Sequence, residues 1–119
     1  MTDLEMTRLC AEAMGYRAIV CLDEHRLRCH RDPEKGESAG NIIYFCPLRD
    51  DAQALELVKA MSVGIGRGNG YFVVEHWYSP PGAERYEVAE APMCVIRCSS
   101  PNLNRAIVEC VAKMQAAKK

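Results

Sequence analysis

Several features that mark common functional classes are missing from this chain of 119 residues. No apolar run approaches the length of about 18 residues that a transmembrane helix needs, so none is predicted. The formal net charge is -1, which is not the strong basic excess typical of a general nucleic-acid binder. The first residues, MTDLE, are polar and acidic, unlike a secretory signal peptide. We therefore expect a cytoplasmic protein with no membrane or general nucleic-acid partner.

Motifs that carry known chemistry are absent as well. The four glycines at alternate positions in residues 64–70 differ in spacing from a dinucleotide fingerprint, and no Gly-Lys-Ser/Thr follows them. A flexible connection into a strand is the prediction for this segment. The chain also lacks a metalloprotease helix, a serine-nucleophile elbow and a paired-carboxylate signature. These absences disfavour an enzyme, and no cofactor or metal is expected.

Cysteine, in contrast, is abundant, with seven residues. An odd number without a signal peptide indicates reduced thiols, and most of them fit apolar helix or strand patterns as small core residues. Cys29-His30 and the spacing of Cys94 and Cys98 lack the CxxC form of a structural zinc site. A cysteine nucleophile would need an activated thiolate beside a base such as His30 or His76, and the spacing selects none. A small Cys/His enzyme remains an alternative.

Helical periodicity is strongest near the end of the chain. Within residues 101–114, six apolar side chains fall on one helical stripe: Leu103, Ala106, Ile107, Cys110, Val111 and Met114. Ser99 and Ser100 are the predicted caps of this helix. Shorter stripes, each preceded by a capping residue, predict two more helices at about residues 3–14 and 50–61.

Strand-like segments occupy the rest of the chain. Six are predicted, at residues 16–22, 26–30, 42–46, 71–78, 85–89 and 93–98. Because links of hairpin length dominate, we expect a mostly antiparallel sheet. The predicted fold is one α/β domain spanning residues 1–119, with the order α-β-β-β-α-β-β-β-α. Helices on both faces of a central sheet would make an α/β/α sandwich, and helices on one face alone are the alternative.

Arginine and aromatic side chains form the candidate binding site. Arg26, Arg28 and His30 alternate with Leu27 and Cys29, so a strand would place the basic and the apolar groups on opposite faces. The basic face is either a solvated sheet surface or a ladder that receives an anion. Forked guanidinium donors beside aromatic rings suit a nucleotide. The candidate ligand-binding residues are Arg26, Arg28, Arg67, Tyr71, Trp77 and Arg97. The alternative interpretation assigns the aromatic rings to the core and the arginines to the surface.

Three segments resemble parts of small phage and prophage proteins. They are residues 7–16 (TRLCAEAMGY), 47–54 (PLRDDAQA) and 102–112 (NLNRAIVECVA), in this order along the chain. The combination is similar to the phage and prophage α/β/α ("ABA") sandwich domain family, most members of which have no assigned activity. The resemblance implies a phage or prophage product that works in the bacterial cytoplasm.

The resemblance also suggests a function. Small phage α/β proteins of this size include counter-defence sponges, which sequester cyclic-nucleotide or ADP-ribose-type immune signals without cleaving them. On this analogy we expect a non-enzymatic protein that binds a small nucleotide-like anion, with a homo-oligomer completing the site. The alternative is a protein-interaction module that binds and modulates a host protein through an exposed sheet edge or the 31–41 loop.

Overall fold

The structure is a computed structural model and describes residues 1–32, 34–38, 40–78 and 94–118. The described helices are α1 (Asp3–Ala13), α2 (Asp51–Met61) and α3 (Leu103–Ala117). The described strands are β1 (Arg17–Cys21), β2 (Leu27–His30), β3 (Ile42–Phe45), β4 (Gly64–Arg67), β5 (Phe72–Tyr78) and β6 (Cys94–Ser100). The predicted α/β class and the order α-β-β-β-α-β-β-β-α are confirmed.

The strands form two antiparallel sheets, sheet A (β1-β2-β3) and sheet B (β4-β5-β6). In each sheet, strands that follow one another in sequence are neighbours. The predicted antiparallel pairing is therefore confirmed, and the strands divide into two sheets where α2 separates β3 from β4. In the described part of the chain, α1 packs against sheet A and α3 packs against sheet B.

The glycine-rich segment, for which the sequence predicts a flexible connection, contains strand β4. Ser62 ends α2 in the left-handed conformation, with φ of 53°, and turns the chain towards β4 after one further residue. Gly64 then pairs with Glu75 and Gly66 with Val73. Val73 and Val74 favour a strand in β5, and the glycines of β4 pair with it although glycine weakens a strand. The strand predicted at residues 85–89 lies outside the described residues.

The helix caps agree with prediction at α1 and α2. Thr2 and Glu5 form the predicted capping box of α1, in which each side chain accepts a hydrogen bond from the other residue's backbone N–H. Asp50 caps α2 by accepting from the backbone N–H of Gln53 at 3.1 Å. Both caps satisfy N–H groups that the first helical turn leaves without partners.

At α3 the predicted cap is wrong. Strand β6 continues through Ser100, whose Cα partner is Phe72, so Ser99 and Ser100 belong to the sheet. The cap is Asn102, and its side chain accepts from the backbone N–H of Arg105 at 3.1 Å. The helix therefore begins two residues later than the sequence suggests, because pairing with β5 keeps the preceding serines extended.

Helix α3 lies at the centre of the core. It contacts α1, α2, β5 and β6, and the predicted apolar stripe packs inward. Val108 and Ala112 are fully buried as well, so the buried surface of α3 is wider than the stripe. Sheet A joins the same core through α1, and the Tyr16 and Phe45 rings meet edge to face with centroids 5.4 Å apart.

Candidate functional site

The structure divides the six predicted ligand-binding residues between the two sheets. Arg26 and Arg28 lie at the β1–β2 hairpin of sheet A. The other four belong to sheet B or to the turn that enters β5: Arg67, Tyr71, Trp77 and Arg97.

In sheet A, an acidic side chain from the 31–41 loop occupies the predicted basic ladder. Arg28 Nη2 lies 2.6 Å from Glu37 Oε2, and His30 Nε2 lies 3.0 Å from Glu37 Oε1. The hydrogen bond from Arg28 is the main cause that lowers the pKa of Glu37, and the bond to His30 adds to it. Arg26, at the hairpin, pairs with Asp23 at 3.4 Å. An external anion would therefore compete with carboxylates of the same chain.

The predicted alternation of β2 is confirmed for its apolar side. Leu27 and Cys29 are buried against the core, while Arg28 and His30 meet Glu37 on the opposite side. Cys29 and His30 are neighbours in sequence, but they point to opposite faces of the strand. This pair therefore does not provide a nucleophile and its base.

Asn41 organises the loop that presents Glu37. Asn41 is 3% exposed, and its Oδ1 accepts from the Asp32 backbone N–H at 2.7 Å. Its Nδ2 donates to the backbone carbonyls of Asp32, at 2.9 Å, and Gly36, at 2.6 Å. Sequence reasoning identifies this segment only as a loop and misses both Asn41 and Glu37. An asparagine at the end of a loop that contains one Asp and two Gly was the available signal.

On sheet B, Glu75 joins two of the predicted residues. Glu75 Oε1 accepts from Arg97 Nε at 3.0 Å, and Oε2 accepts from Trp77 Nε1 at 2.9 Å. Glu75 and Arg97 are Cα partners across β5 and β6, and Trp77 lies opposite Val95. Trp77 remains 53% exposed. The outer face of sheet B thus combines an aromatic ring and a guanidinium group, both anchored by one carboxylate.

The remaining two candidates lie at the opposite end of β5. Tyr71 precedes Trp77 by six residues, which corresponds to roughly 20 Å along an extended chain. Its ring lies against Gly68, where an added Cβ would collide with it. The Arg67 guanidinium lies 5.6 Å from the centroid of the Phe72 ring. Tyr71 and Trp77 are too far apart to stack on one base, so a compact nucleotide site can use only one of them.

A groove, not predicted from the sequence, lies between α2, β4 and the start of α3. The groove has a volume of about 490 Å³. Its apolar walls are formed by Ala54, Leu55, Val58, Ile65, Leu103 and Ile107. At one end Asn104 Nδ2 donates to Asp51 Oδ1 at 2.8 Å. Leu55 and Ile65 are each about half exposed. This site depends on β4 being a strand, which explains why sequence patterns do not reveal it.

Strand β4 is an edge of sheet B in the described part of the chain, and all four of its residues are exposed. Within the same part, no group of three His, Cys, Asp or Glu side chains could hold a metal ion. The described helices also include none that is long and apolar enough to cross a membrane.

No family model, curated protein or solved structure matches this chain.

Proposed function

We propose that this chain is a non-enzymatic protein-interaction module that binds an extended segment of a partner protein along the β4 edge. The observation that carries the proposal is the exposed edge strand beside an apolar groove. An edge strand presents backbone donors and acceptors that an added strand can pair with. This main-chain pairing supplies affinity for any extended segment, whereas the groove can select its side chains.

The groove indicates which side chains the partner segment should carry. Successive side chains of a strand point to opposite faces, so every second residue of an added segment would face the side of β4 on which Ile65 lies. There it would meet the α2 side chains of Leu55 and Val58. We therefore expect apolar residues at alternate positions of the bound segment. Their burial supplies about 25 cal/mol per Å² of apolar surface.

Selection of short peptides from a random display library tests this proposal. Selected peptides should carry apolar residues at alternate positions, and their binding should shift the backbone amide resonances of residues 54–58 and 64–67. Ile65→Lys should weaken binding at least about tenfold, which corresponds to about 1.4 kcal/mol. Leu22→Lys, at a similarly exposed apolar residue following β1, is the matched control and should bind normally. Selected peptides that bind Ile65→Lys as tightly as the wild type would contradict the proposal.

A second candidate function is supported by the outer face of sheet B. There Glu75 hydrogen-bonds both the Trp77 ring and the Arg97 guanidinium, which are two of the six predicted ligand-binding residues. A ring for stacking and a forked donor for phosphate would suit such a ligand. This candidate function includes three predictions made from the sequence. They are sequestration of an immune signal, a phage or prophage origin, and a homo-oligomeric assembly.

Calorimetry with a panel of cyclic oligonucleotides and ADP-ribose isomers tests the second candidate. If one binds at this face, Trp77→Ala should abolish binding because stacking is lost. Glu75→Gln should strengthen it, since the variant removes the carboxylate that competes with phosphate for Arg97. Arg8→Ala, at an exposed arginine of α1, serves as the control. Binding that is unchanged by both sheet B variants would exclude this face as the site.

A further inference from the structure

Another cavity lies where the last turns of α2 and α3 meet sheet B, and we call it the terminal cavity. Its volume is about 450 Å³, and its apolar wall is formed by Ala60, Met61, Ile96, Met114 and Ala117. None of these residues lines the groove beside β4. Small-molecule sites in proteins typically have volumes of about 300–1,000 Å³ and mostly apolar walls. The terminal cavity therefore has the size and the lining of a small-molecule site.

The terminal cavity has a buried floor and an exposed rim. Met114 is 7% exposed, and Met61 and Ile96 are partly buried against the core. Ala60 and Ala117, in contrast, are exposed, and their short side chains leave the entrance wide. Methionine side chains are flexible and adapt to the shape of what they contact. The floor can therefore receive the apolar part of a ligand.

Both polar side chains among the described lining residues are basic. His76 lies on β5 opposite Ile96, on the face of sheet B that also carries the fully buried Val74. Lys118 is the C-cap of α3 and is exposed at the rim. Within the part of the chain that the structure describes, no ion pair involves Lys118. An anion at the rim would therefore meet a cation without displacing a carboxylate of the same chain.

The ends of α2 and α3 add an opposing effect. The carbonyl groups at a helix C-terminus carry a partial charge of about -0.5, which acts within the last turn. The last turn of α2 also carries Lys59, and α3 is followed by Lys118. Because each lysine contributes a full positive charge, the two lysines outweigh the two partial negative charges. The entrance of the terminal cavity therefore favours an anion over a cation.

We propose that the terminal cavity binds a small organic acid that has an apolar body and a single carboxylate. The apolar body lies on the floor formed by Met61, Ile96 and Met114, where its burial supplies affinity. The carboxylate lies near Lys118 and His76, where charge-assisted hydrogen bonds select an acid over a neutral or cationic ligand of the same length. This site is independent of the β4 edge, so either can function without the other.

Titrations of the whole chain with octanoate, 1-octanol, octylammonium and acetate, followed by amide resonances, test the proposal. Octanoate should shift the resonances of residues 60–61, 76, 96 and 114–118 until they saturate. 1-Octanol should bind about twofold to fivefold more weakly, since it lacks the charge, and octylammonium more weakly still. Acetate should not bind, because it lacks the apolar body. The proposal is overturned if octanoate produces no saturable shifts, if it shifts residues 54–58 and 64–67 instead, or if 1-octanol or octylammonium binds as tightly.

Two variants with matched controls complete the test. Ala60→Trp should fill the entrance and abolish octanoate binding, whereas Ala116→Trp, at an exposed alanine of α3 outside the cavity, should not. Lys118→Gln should weaken octanoate about twofold to fivefold and leave 1-octanol unchanged, and Lys113→Gln, at an exposed lysine of the same helix, is its control. Wild-type octanoate binding in Ala60→Trp, or equal weakening of both ligands in Lys118→Gln, would contradict the proposal. The wild-type titrations decide the question even if a variant fails to fold.

Discussion

In the described part of the chain, carboxylates lie within 3.4 Å of the guanidinium groups of four arginines. The pairs are Arg26 with Asp23, Arg28 with Glu37, Arg97 with Glu75 and Arg105 with Asp3. Each pairing orients its guanidinium and partly neutralises it. An anionic ligand would gain a charge-assisted hydrogen bond only after displacing a carboxylate that already makes one. At the residue scale, these pairings therefore disfavour a small anion as the ligand of these four arginines.

The pair between Arg105 and Asp3 ties the start of α3 to the start of α1. Arg105 Nη2 lies 2.8 Å from Oδ1 and 2.9 Å from Oδ2 of Asp3. Because both side chains are partly exposed, Arg105→Met should lower the free energy of unfolding by only about 0.5–1 kcal/mol. Urea denaturation of Arg105→Met, Asp3→Asn and the double variant gives the coupling energy of the pair.

Arg8→Met is the matched control for this prediction. Arg8 lies within α1 and contacts Glu12 at 4.0 Å across one helical turn. Its loss should change stability by less than about 0.5 kcal/mol. A coupling energy of zero between Arg105 and Asp3 would show that the pair does not contribute to stability.

Glu37 should make stability depend on pH in the acidic range. Arg28 and His30 hold its pKa below the ordinary value of 4.5. A carboxyl whose pKa is lower in the folded state stabilises the fold above its unfolded pKa and loses that contribution as pH falls through the folded value. The difference in unfolding free energy between wild type and Glu37→Gln should therefore be present at neutral pH and disappear in stronger acid.

Urea denaturation of wild type and Glu37→Gln, repeated across this pH range, measures the effect. Glu34→Gln changes another exposed carboxylate in the same loop and is the matched control. A wild-type advantage over Glu37→Gln that persists unchanged into strong acid would mean that some other contact of this side chain is responsible.

Among the elements, helix termini provide the clearest test of the structure against sequence patterns. Asn102→Ala removes the side chain that accepts from the Arg105 N–H, so it should destabilise the protein by about 1 kcal/mol. Ser99→Ala changes the residue that the sequence favours as a cap, but Ser99 lies exposed in β6 opposite Val73. This second variant should be within about 0.5 kcal/mol of wild type. Thermal unfolding followed by far-ultraviolet circular dichroism compares the two, and equal losses would contradict the assigned cap.

Local patterns predict the elements for which local physics is sufficient. The stripe of α3, the capping box at Thr2 and the alternation of β2 each require only side chains at fixed spacing. Strand β4 could not be found this way, because its glycines disfavour a strand and its pairing partner, β5, follows later in the chain. The groove includes Ile65 of β4, so it could not be predicted from local patterns either. Long-range pairs such as Arg97 with Glu75 leave no periodic signal either.

A single hydrophobic core connects the two sheets. Leu27 and Phe45 of sheet A, Val74 and Cys98 of sheet B, and the inner side of α3 form one buried cluster. Packed interiors transmit the loss of a side chain to its neighbours. A destabilising substitution in either sheet should therefore lower the stability of both sheets. The domain should unfold in one cooperative transition.

Leu27→Ala tests this cooperativity. Leu27 is 1% exposed on β2, and its truncation should cost about 2–5 kcal/mol because it removes apolar burial and leaves a cavity. If the core unfolds as one unit, hydrogen exchange at the slowest amides of β5, in the other sheet, should report the same loss. Val20→Ala, at an exposed position of β1, should cost less than about 1 kcal/mol. Wild-type protection of the β5 amides in Leu27→Ala would instead mean that sheet B and α3 unfold independently of sheet A. The β4 edge would then belong to a unit whose stability does not depend on sheet A.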